Sequence, residues 1–266
     1  MPEGDTIWRT AAALRPRLVG RRVLAARPAP LARLTGTTIT AVDAVGKHLL
    51  VRFDNGLSLH THMRMTGAWH VYRPGEPWRK PERLARAVLE VDGTVAVLFN
   101  APVVELTRHD DRTSHLGPDI LAENLDLDLV VRRARSLGSV PVGEVLLDQR
   151  VSAGIGNIWR NEALWTERVN PWRASTSLSD AQLRALYAWA HTEMRAHLRG
   201  PHRRSIVHGR GGRPCPRCGT LIKVRAQGEQ ARLTYWCPHC QGGDQYQMTG
   251  PSPVAPSGSH RASPRA

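Results

Sequence analysis

The stretch VGEVLLDQRVSAGIGNIWRNEALW, residues 142–165, has a helical pattern on both sides of a turn that contains Gly154 and Gly156. Apolar residues recur before and after the turn at the spacing of helices. Asn157 stands where the second helix is expected to begin, so free N–H groups and the positive end of a helix dipole should meet there. Such a helix start favours phosphate, and the Asn157 amide adds a donor. An ordinary tight turn between two helices is the alternative.

Short β-rich runs precede this pair of helices. Residues 22–106 contain stretches rich in Val, Leu, Ile and Thr, separated by turn signals such as DNG at 54–56 and DG at 92–93. Turns of this kind join antiparallel strands. The region therefore predicts an antiparallel sandwich or barrel.

Two further helices are expected outside these regions. Residues 6–19 predict a helix with Thr6 as a possible N-cap, although Pro16 strains its second half. A clean amphipathic helix is expected to start at Ser177 or Ser179. Its apolar stripe consists of Leu183, Leu186, Tyr187, Ala190 and Met194.

The charge of the chain points to an anionic partner. The 266 residues include 37 Lys and Arg against 23 Asp and Glu, a formal net charge of +14. Half of that excess lies in residues 201–240, where eight Lys and Arg stand against one acid. Nucleic acid is favoured over a membrane surface, since no apolar run approaches the roughly 20 residues of a spanning helix. With no signal peptide pattern at the start, we expect a cytoplasmic protein.

Lysine is scarce in this basic chain. Only three of the 37 basic residues are lysine. Arginine cannot give up a proton in a protein, whereas lysine can. A lysine here is therefore a candidate for acid–base chemistry. The three are Lys47, Lys80 and Lys223.

All the cysteines form one pattern, C-x2-C, 18 residues, then C-x2-C. This spacing is typical of a zinc ribbon with one structural ion, whose closed thiolate shell leaves no catalytic position. Two disulfides or buried thiols are the alternatives, and they suit a cytoplasmic chain poorly. The segment between the two pairs predicts a basic β-hairpin that turns near Gly228. The cysteines are Cys215, Cys218, Cys237 and Cys240.

Two smaller features complete the pattern. Met65, beside Arg64 in the loop HMRMTG at 62–67, suits an apolar wedge that enters a base stack, with a core position as the alternative. The chain opens MPEGD, so removal of Met1 would leave a secondary amine on Pro2 next to the carboxylate of Glu3.

Taken in order, PEG, GKHLL, HMRMTG, LGPDIL, LDQRVSAGIGNIWRNEAL and the four-cysteine ribbon resemble the formamidopyrimidine-DNA glycosylase / endonuclease VIII family, with more likeness to the endonuclease VIII branch. The resemblance implies an α+β fold: an N-terminal antiparallel β-sandwich with flanking helices, then a helix-two-turn-helix domain with a zinc-finger β-hairpin. We place the catalytic sandwich at 1–121, the helical DNA-binding domain at 122–200, the zinc finger at 201–242 and a disordered tail at 243–266.

The resemblance also implies an activity, namely that of a bifunctional DNA glycosylase and AP lyase that acts on oxidised bases, pyrimidines favoured. Pro2 would be the nucleophile that forms a Schiff base, and Glu3 the acid that helps to expel the base. Lys47 would be the proton donor of β-elimination, and Arg232 would assist δ-elimination. One structural zinc, no organic cofactor, damaged double-stranded DNA as partner and a monomer associated with the nucleoid follow from the same resemblance.

Three DNA-binding residues are implied as well. Asn157 would bind backbone phosphate, and Arg64 and Met65 would fill the space left by the everted nucleotide. Thr6 departs from the glutamate that the family commonly has there, which leaves open an AP lyase or a damaged-DNA-binding protein without base removal. A third alternative, a zinc-ribbon transcription factor, explains the ribbon and the charge alone.

Overall fold

The structure, a computed structural model, describes residues 2–108, 111–200 and 204–243. Its N-terminal part contains eight strands. They are β1 (Val23–Arg27), β2 (Ile39–Val45), β3 (His48–Phe53), β4 (Ser58–His62), β5 (Ala68–Tyr72), β6 (Ala85–Val91), β7 (Thr94–Phe99) and β8 (Val103–Thr107). They form two four-stranded antiparallel sheets, in the orders β1–β6–β7–β5 and β2–β3–β4–β8.

The two sheets pack as a sandwich around one apolar core. In β3, Leu49, Val51 and Phe53 belong to that core. Because successive side chains of a strand point to opposite faces, His48 lies on the outer face, and His60 of β4 lies there beside it. The sandwich predicted from the sequence is confirmed, and two histidines lie on its outer face where β3 and β4 are neighbours.

The first helix, α1 (Gly4–Leu18), closes one side of the sandwich with Ile7, Ala11 and Leu14 buried in the core. It begins before the expected residue, because its N-cap is Glu3 rather than Thr6. Pro16 lies inside α1, which ends two residues later, in keeping with the loss of one backbone donor.

The second domain is helical. It consists of α3 (Leu127–Ser136), α4 (Val142–Val145), α5 (Asn157–Thr166) and α6 (Asp180–Arg199), preceded by the short α2 (Asp111–Ser114). Ser179 caps α6 through a capping box with Gln182, which confirms one of the two expected start positions. The predicted stripe of α6, from Leu183 to Met194, is buried against α3, α4 and α5.

A hairpin of β9 (Lys223–Gln227) and β10 (Arg232–Trp236) forms the C-terminal module. It turns at Gly228, whose φ of 70° suits glycine. The α+β class and the order of parts are as the sequence predicts, whereas the domain boundaries stay predictions. Of the predicted tail at 243–266, residues 244–266 lie outside the described residues. No helix in the described part of the chain is long and apolar enough to cross a membrane.

Candidate active site

Four backbone segments from distant parts of the sequence meet at the start of α5. The N–H of Gly4 donates to the carbonyl of Gly154 at 2.9 Å, which joins the N-terminus to the turn before α5. The N–H of Ile120 donates to the carbonyl of Ala153, also at 2.9 Å. The N–H of Gly46, in the turn between β2 and β3, donates to Oδ2 of Asp119 at 2.7 Å. The sandwich and the helical domain are therefore joined at this point.

Two glycines of the AGIGN turn make this convergence possible. A Cβ on Gly156 would lie 2.3 Å from the carboxyl carbon of Glu3. Gly154 has a φ of 111°, and a Cβ there would lie 2.8 Å from the Ile120 side chain. Both glycines thus allow a close approach, of the Glu3 side chain to Gly156 and of the Ile120 side chain to Gly154, and only Gly154 has an unusual φ.

The Glu3 carboxylate occupies the N-terminus of α5. Its Oε1 accepts a hydrogen bond from the Ile158 N–H at 2.7 Å, and its Oε2 accepts bonds from Gly156 at 3.0 Å and Trp159 at 3.3 Å. Glu3 is only 1% exposed. The expectation that the N–H groups of this helix start are free for phosphate is therefore wrong for these three, because an intramolecular anion takes them.

The pKa values of the two buried groups at this site move toward neutrality. Burial raises the pKa of Glu3 to about 7, although the Ile158 N–H and the Lys47 ammonium oppose the rise. Burial also lowers the pKa of Lys47 to about 8, with the charge of Glu3 opposing this change and that of Arg232 adding to it. Both groups can therefore exchange a proton near neutral pH.

Four of the sequence-predicted residues gather here. Pro2 is half-buried and directly precedes Glu3. Lys47 lies in the turn between β2 and β3. Arg232, at the start of β10, is close enough to lower the pKa of Lys47. The Arg232 guanidinium donates to Oε1 of Gln230 at 3.0 and 3.2 Å.

Asn157 lies at the same helix start and is 8% exposed. Its side-chain amide donates to the carbonyl of Leu233 in the zinc-finger hairpin at 2.8 Å. Its Oδ1 is buried without a hydrogen-bond partner in the described part of the chain. The side chain of Asn157, the first residue of α5, thus contacts the hairpin. Its contact with phosphate stays a prediction.

Polar residues of α5 that sequence reasoning assigned no role contact the hairpin and the segment that precedes it. The fully buried Arg160 donates to the Thr234 hydroxyl at 2.6 Å. The Asn161 Oδ1 accepts a bond from the Tyr235 N–H. The Glu162 carboxylate accepts three backbone N–H bonds, from Ile206, Val207 and His208. Only the run of polar residues RNE at 160–162 inside a short helix could have signalled this.

The loop between β4 and β5 presents its tip to solvent. Met65 is 62% exposed, whereas Met63 is buried in the sandwich core. Arg64 has a φ of 45°, a conformation uncommon outside glycine. The core alternative is thus wrong for Met65. Burial is the largest cause of the lowered pKa of His62, and the charges of Arg64 and Lys47 lower it further. Because His62 directly precedes the loop, the loop starts close to Lys47.

A histidine cluster that sequence reasoning did not single out adjoins Lys47. Nδ1 of His48 lies 2.7 Å from Nε2 of His60, and the ring of His62 meets the ring of His48 edge-on at 4.9 Å. Burial lowers the pKa of His48 to about 3 and that of His62 to about 4. The cluster is therefore neutral at physiological pH and adds no charge beside Lys47.

The cysteines form a metal site. The four Sγ atoms lie within 4.8 Å of one another, with Cys218–Cys237 at 3.4 Å and Cys215–Cys240 at 4.0 Å. These separations exclude a disulfide, whose S–S bond is about 2.05 Å. Thiolates about 2.3 Å from a tetrahedral zinc would lie about 3.8 Å apart. The cysteines thus fit one closed zinc shell, and His239 is not part of the group.

The fold and the site define a two-domain protein in which Glu3, near the N-terminus, accepts hydrogen bonds from the start of a helix. Lys47 lies close to Glu3, and the zinc-finger residue Arg232 lies close to Lys47. Family models match the whole of this arrangement. Residues 1–113 match the formamidopyrimidine-DNA glycosylase N-terminal domain, residues 116–204 its H2TH domain, and residues 212–242 the zinc finger found in FPG and IleRS.

Similar proteins span nearly the full chain. A probable endonuclease 8 2 of Streptomyces coelicolor is 37% identical, covering 96% of this chain and 99% of the relative. A DNA-(apurinic or apyrimidinic site) lyase Nei2 of Mycolicibacterium smegmatis is 35% identical, covering 91% of this chain and 99% of the relative. The crystal structure of the MutM (Fpg) protein of Thermus thermophilus is 28% identical, with a TM-score of 0.78 over 91% of this chain and 100% of that one. The chain belongs to the formamidopyrimidine-DNA glycosylase / endonuclease VIII family, in its endonuclease VIII branch.

Proposed function

We propose that this protein is a bifunctional DNA glycosylase and AP lyase of base-excision repair that removes oxidised bases, pyrimidines favoured, from double-stranded DNA. One observation carries the proposal: the residue that follows Pro2 is a buried acid held on a helix start, with a pKa near 7, and Lys47 lies beside it. A nucleophile, an acid and a proton donor are therefore available in one place.

The first stage expels the damaged base. Removal of Met1 leaves Pro2 with a secondary amine, for which an unperturbed α-amino pKa of about 7.7–8.0 gives a useful neutral fraction near pH 7. The amine attacks C1′ while Glu3 delivers a proton that helps to open the sugar and release the base. The C1′–N bond to the base breaks, and an iminium between Pro2 and the sugar forms.

The second stage cuts the strand. The iminium makes a C2′ proton acidic, and its loss breaks the bond between C3′ and the 3′ phosphate. Lys47 is the proton donor of this β-elimination. A second elimination then frees the 5′ phosphate, and Arg232 assists by contacting the departing phosphate. The closeness of Arg232 to Lys47 supports this assignment.

Access to the sugar requires that the damaged nucleotide leave the base stack, at a cost of a few kcal/mol. The exposed Met65 and its neighbour Arg64 suit the space that the everted nucleotide leaves. Asn157 binds backbone phosphate in this proposal, and the zinc holds the hairpin that carries Arg232. A monomeric state and a cytoplasmic, nucleoid-associated location stay predictions.

Borohydride trapping tests the proposal. On duplex DNA with a single oxidised pyrimidine, the wild-type protein should become covalently joined to the strand, since borohydride reduces the iminium. Pro2→Gly should lose trapping and cutting, whereas Pro77→Gly, a change at an exposed loop proline, should keep both. If Pro2→Gly traps and cuts like the wild type, the proposed function is wrong.

A second candidate is an AP lyase without base removal. It is favoured by Thr6 in place of the family's glutamate, and one similar protein is named a DNA-(apurinic or apyrimidinic site) lyase. A panel of duplexes with single intact lesions, compared with duplexes that carry preformed abasic sites, separates the two. Cutting at abasic sites alone would favour this candidate.

A further inference from the structure

A buried carboxylate links the N-terminal helix to the last helix of the second domain. Oδ2 of Asp5, in the first turn of α1, lies 2.6 Å from Nδ1 of His197, in the last turn of α6. Asp5 is 4% exposed, and its Oδ1 is buried without a hydrogen-bond partner among the described residues. A buried carboxylate oxygen without a partner costs stability. The contact with His197 therefore satisfies only one of the two Asp5 carboxylate oxygens.

The pair is connected to the active site through Trp159, whose ring contacts His197 and whose backbone N–H contacts Glu3. The ring of His197 packs edge-on against the ring of Trp159, with centroids 5.7 Å apart. The N–H of Trp159 donates to Oε2 of Glu3 at 3.3 Å. Glu3 is two residues before Asp5, so the four residues form a closed ring. This ring joins the N-terminus and α1 to both α5 and α6.

We propose that Asp5 and His197 are positioning residues for Glu3: the pair holds the first turn of α1 against α6, and the charge of Asp5 stabilises the protonated form of the Glu3 carboxyl. Neither residue is expected to touch the DNA. The inference rests on the proposed function, in which Glu3 delivers a proton to expel the base.

The charges around Glu3 give this role a direction. Burial is the largest cause of its raised pKa, the Ile158 N–H and the Lys47 ammonium lower it, and Asp5 raises it. The Arg160 guanidinium of α5 also faces Glu3, whose charge acts on the pKa of Arg160. Loss of the Asp5 charge should therefore lower the pKa of Glu3. His197 carries no negative charge, so its replacement by glutamine gives no reason for the pKa of Glu3 to fall.

The decisive comparison uses Asp5→Asn, which keeps an acceptor for His197, and His197→Gln. Single-turnover excision of an oxidised pyrimidine is measured with excess enzyme at about pH 5.5 and about pH 8.5. At the lower pH Glu3 is protonated in every variant, whereas at the higher pH the rate follows its protonated fraction. A lower pKa of Glu3 therefore lowers the ratio of the high-pH rate to the low-pH rate.

We expect this ratio to fall for Asp5→Asn, and to stay unchanged or rise for His197→Gln. The exposed control Asp54→Asn should behave like the wild type. A purely structural role would reduce both rates by the same factor and leave the ratio unchanged, and that result would overturn the proposal. So would a fall in the ratio for both variants.

Two further measurements separate this inference from the proposed function. On a strand with a preformed abasic site no base is expelled, so Asp5→Asn should keep the wild-type ratio, and an equal fall there would refute the link to Glu3. Carbon-13 NMR titration of the Glu3 carboxyl needs no activity, and it should give a lower pKa in Asp5→Asn. If the wild type excises normally and the pKa of Glu3 is the same in Asp5→Asn as in the wild type, only this inference is wrong. If borohydride does not trap the wild type, the proposed function is wrong.

Discussion

The Ile158 N–H donates a 2.7 Å hydrogen bond to Oε1 of Glu3, a residue 155 positions earlier in the chain. This bond places an acid at a helix start, a position that is suited to bind an external anion. The carboxylate is nevertheless so deeply buried that its pKa rises to about 7, because the loss of hydration outweighs the N–H donors. A group in this position can hold a proton at neutral pH and still deliver it.

Glu3→Gln should separate base removal from strand cutting. Glutamine has the size of glutamate but has no acidic proton to deliver, so excision of an intact lesion should fall about 10²- to 10⁴-fold. Cutting at a preformed abasic site should persist, since no base leaves there. Gel assays on the two substrates measure both rates. Glu82→Gln, at an exposed carboxylate, is the control. An equal loss on both substrates would contradict the role of Glu3 as the acid.

Lys47→Arg should stop the reaction after the covalent stage. Arginine keeps the positive charge but cannot release a proton at accessible pH. Nicking should therefore fall by about 100-fold or more, while base release and borohydride trapping continue. Lys80→Arg, a lysine that lies over the Phe99 ring, should leave nicking unchanged. Wild-type nicking by Lys47→Arg would show that the proton comes from another group.

The raised pKa of Glu3 and the lowered pKa of Lys47 predict how the two reaction rates depend on pH. Glu3 and Lys47 both act in their protonated forms, which are lost as pH rises through about 7 and about 8. Nicking of a preformed abasic site should therefore decline above about pH 8. Between about pH 7 and 8 the growing share of neutral Pro2 amine offsets the loss of protonated Glu3, so the excision rate should stay nearly constant. Above about pH 8 the Pro2 amine is already mostly neutral, so excision should decline about tenfold per pH unit. A rate still rising at pH 9 would contradict both assignments.

Gly156→Ala tests the packing beneath the acid. Its Cβ would lie 2.3–2.5 Å from atoms of the Glu3 carboxyl, so the carboxyl must move away from the N–H groups of α5. We expect excision to fall at least about tenfold, and stability to fall by about 1–3 kcal/mol. Gly200→Ala is the matched control, since among the described residues its Cβ would meet only the Ala196 carbonyl, at 3.5 Å. Unchanged excision would mean that the position of Glu3 is not critical.

Met65→Ala should slow the cutting of duplex DNA but not that of single-stranded DNA. The side chain is 62% exposed, so its removal should leave the midpoint of thermal unfolding unchanged. Excision from a duplex should fall about tenfold, because no apolar group fills the space left by the everted nucleotide. A lesion in a single strand should be cut at the wild-type rate. The exposed Leu24→Ala is the control. Equal losses on both substrates would contradict the wedge role.

Much of the fold could be predicted because its signals are local. Turn residues and alternating apolar runs indicated the sandwich, and the four-cysteine spacing indicated the zinc module. The apolar period of α6 indicated its buried face, which the structure confirms. The residue types made Lys47 a candidate for acid–base chemistry and placed the Pro2 amine beside Glu3. Their specific catalytic roles came only through the resemblance, since nothing local to Pro2 or Lys47 shows that the two parts of the chain meet.

The contacts that complete the site were not accessible, since each joins residues far apart in the sequence. The helix start at Asn157 showed a place for an anion, but not that Glu3 would fill it. Arg160 looks like a surface charge until the hairpin packs against it and buries it. Asp5 and His197 are 192 positions apart, and their pairing depends on how α1 and α6 cross.

Removal of zinc should detach the hairpin that carries Arg232. The buried Cys237 follows β10 directly, so loss of the metal frees the strand that Asn157 and Arg160 hold against α5. After treatment with a strong chelator we expect weaker binding to duplex DNA, loss of the δ-elimination product and a lower midpoint of thermal unfolding, all restored by added Zn²⁺. His239→Ala should keep one zinc per chain, because His239 lies outside the four-thiolate group. Full δ-elimination by the metal-free protein would show that the finger does not position Arg232.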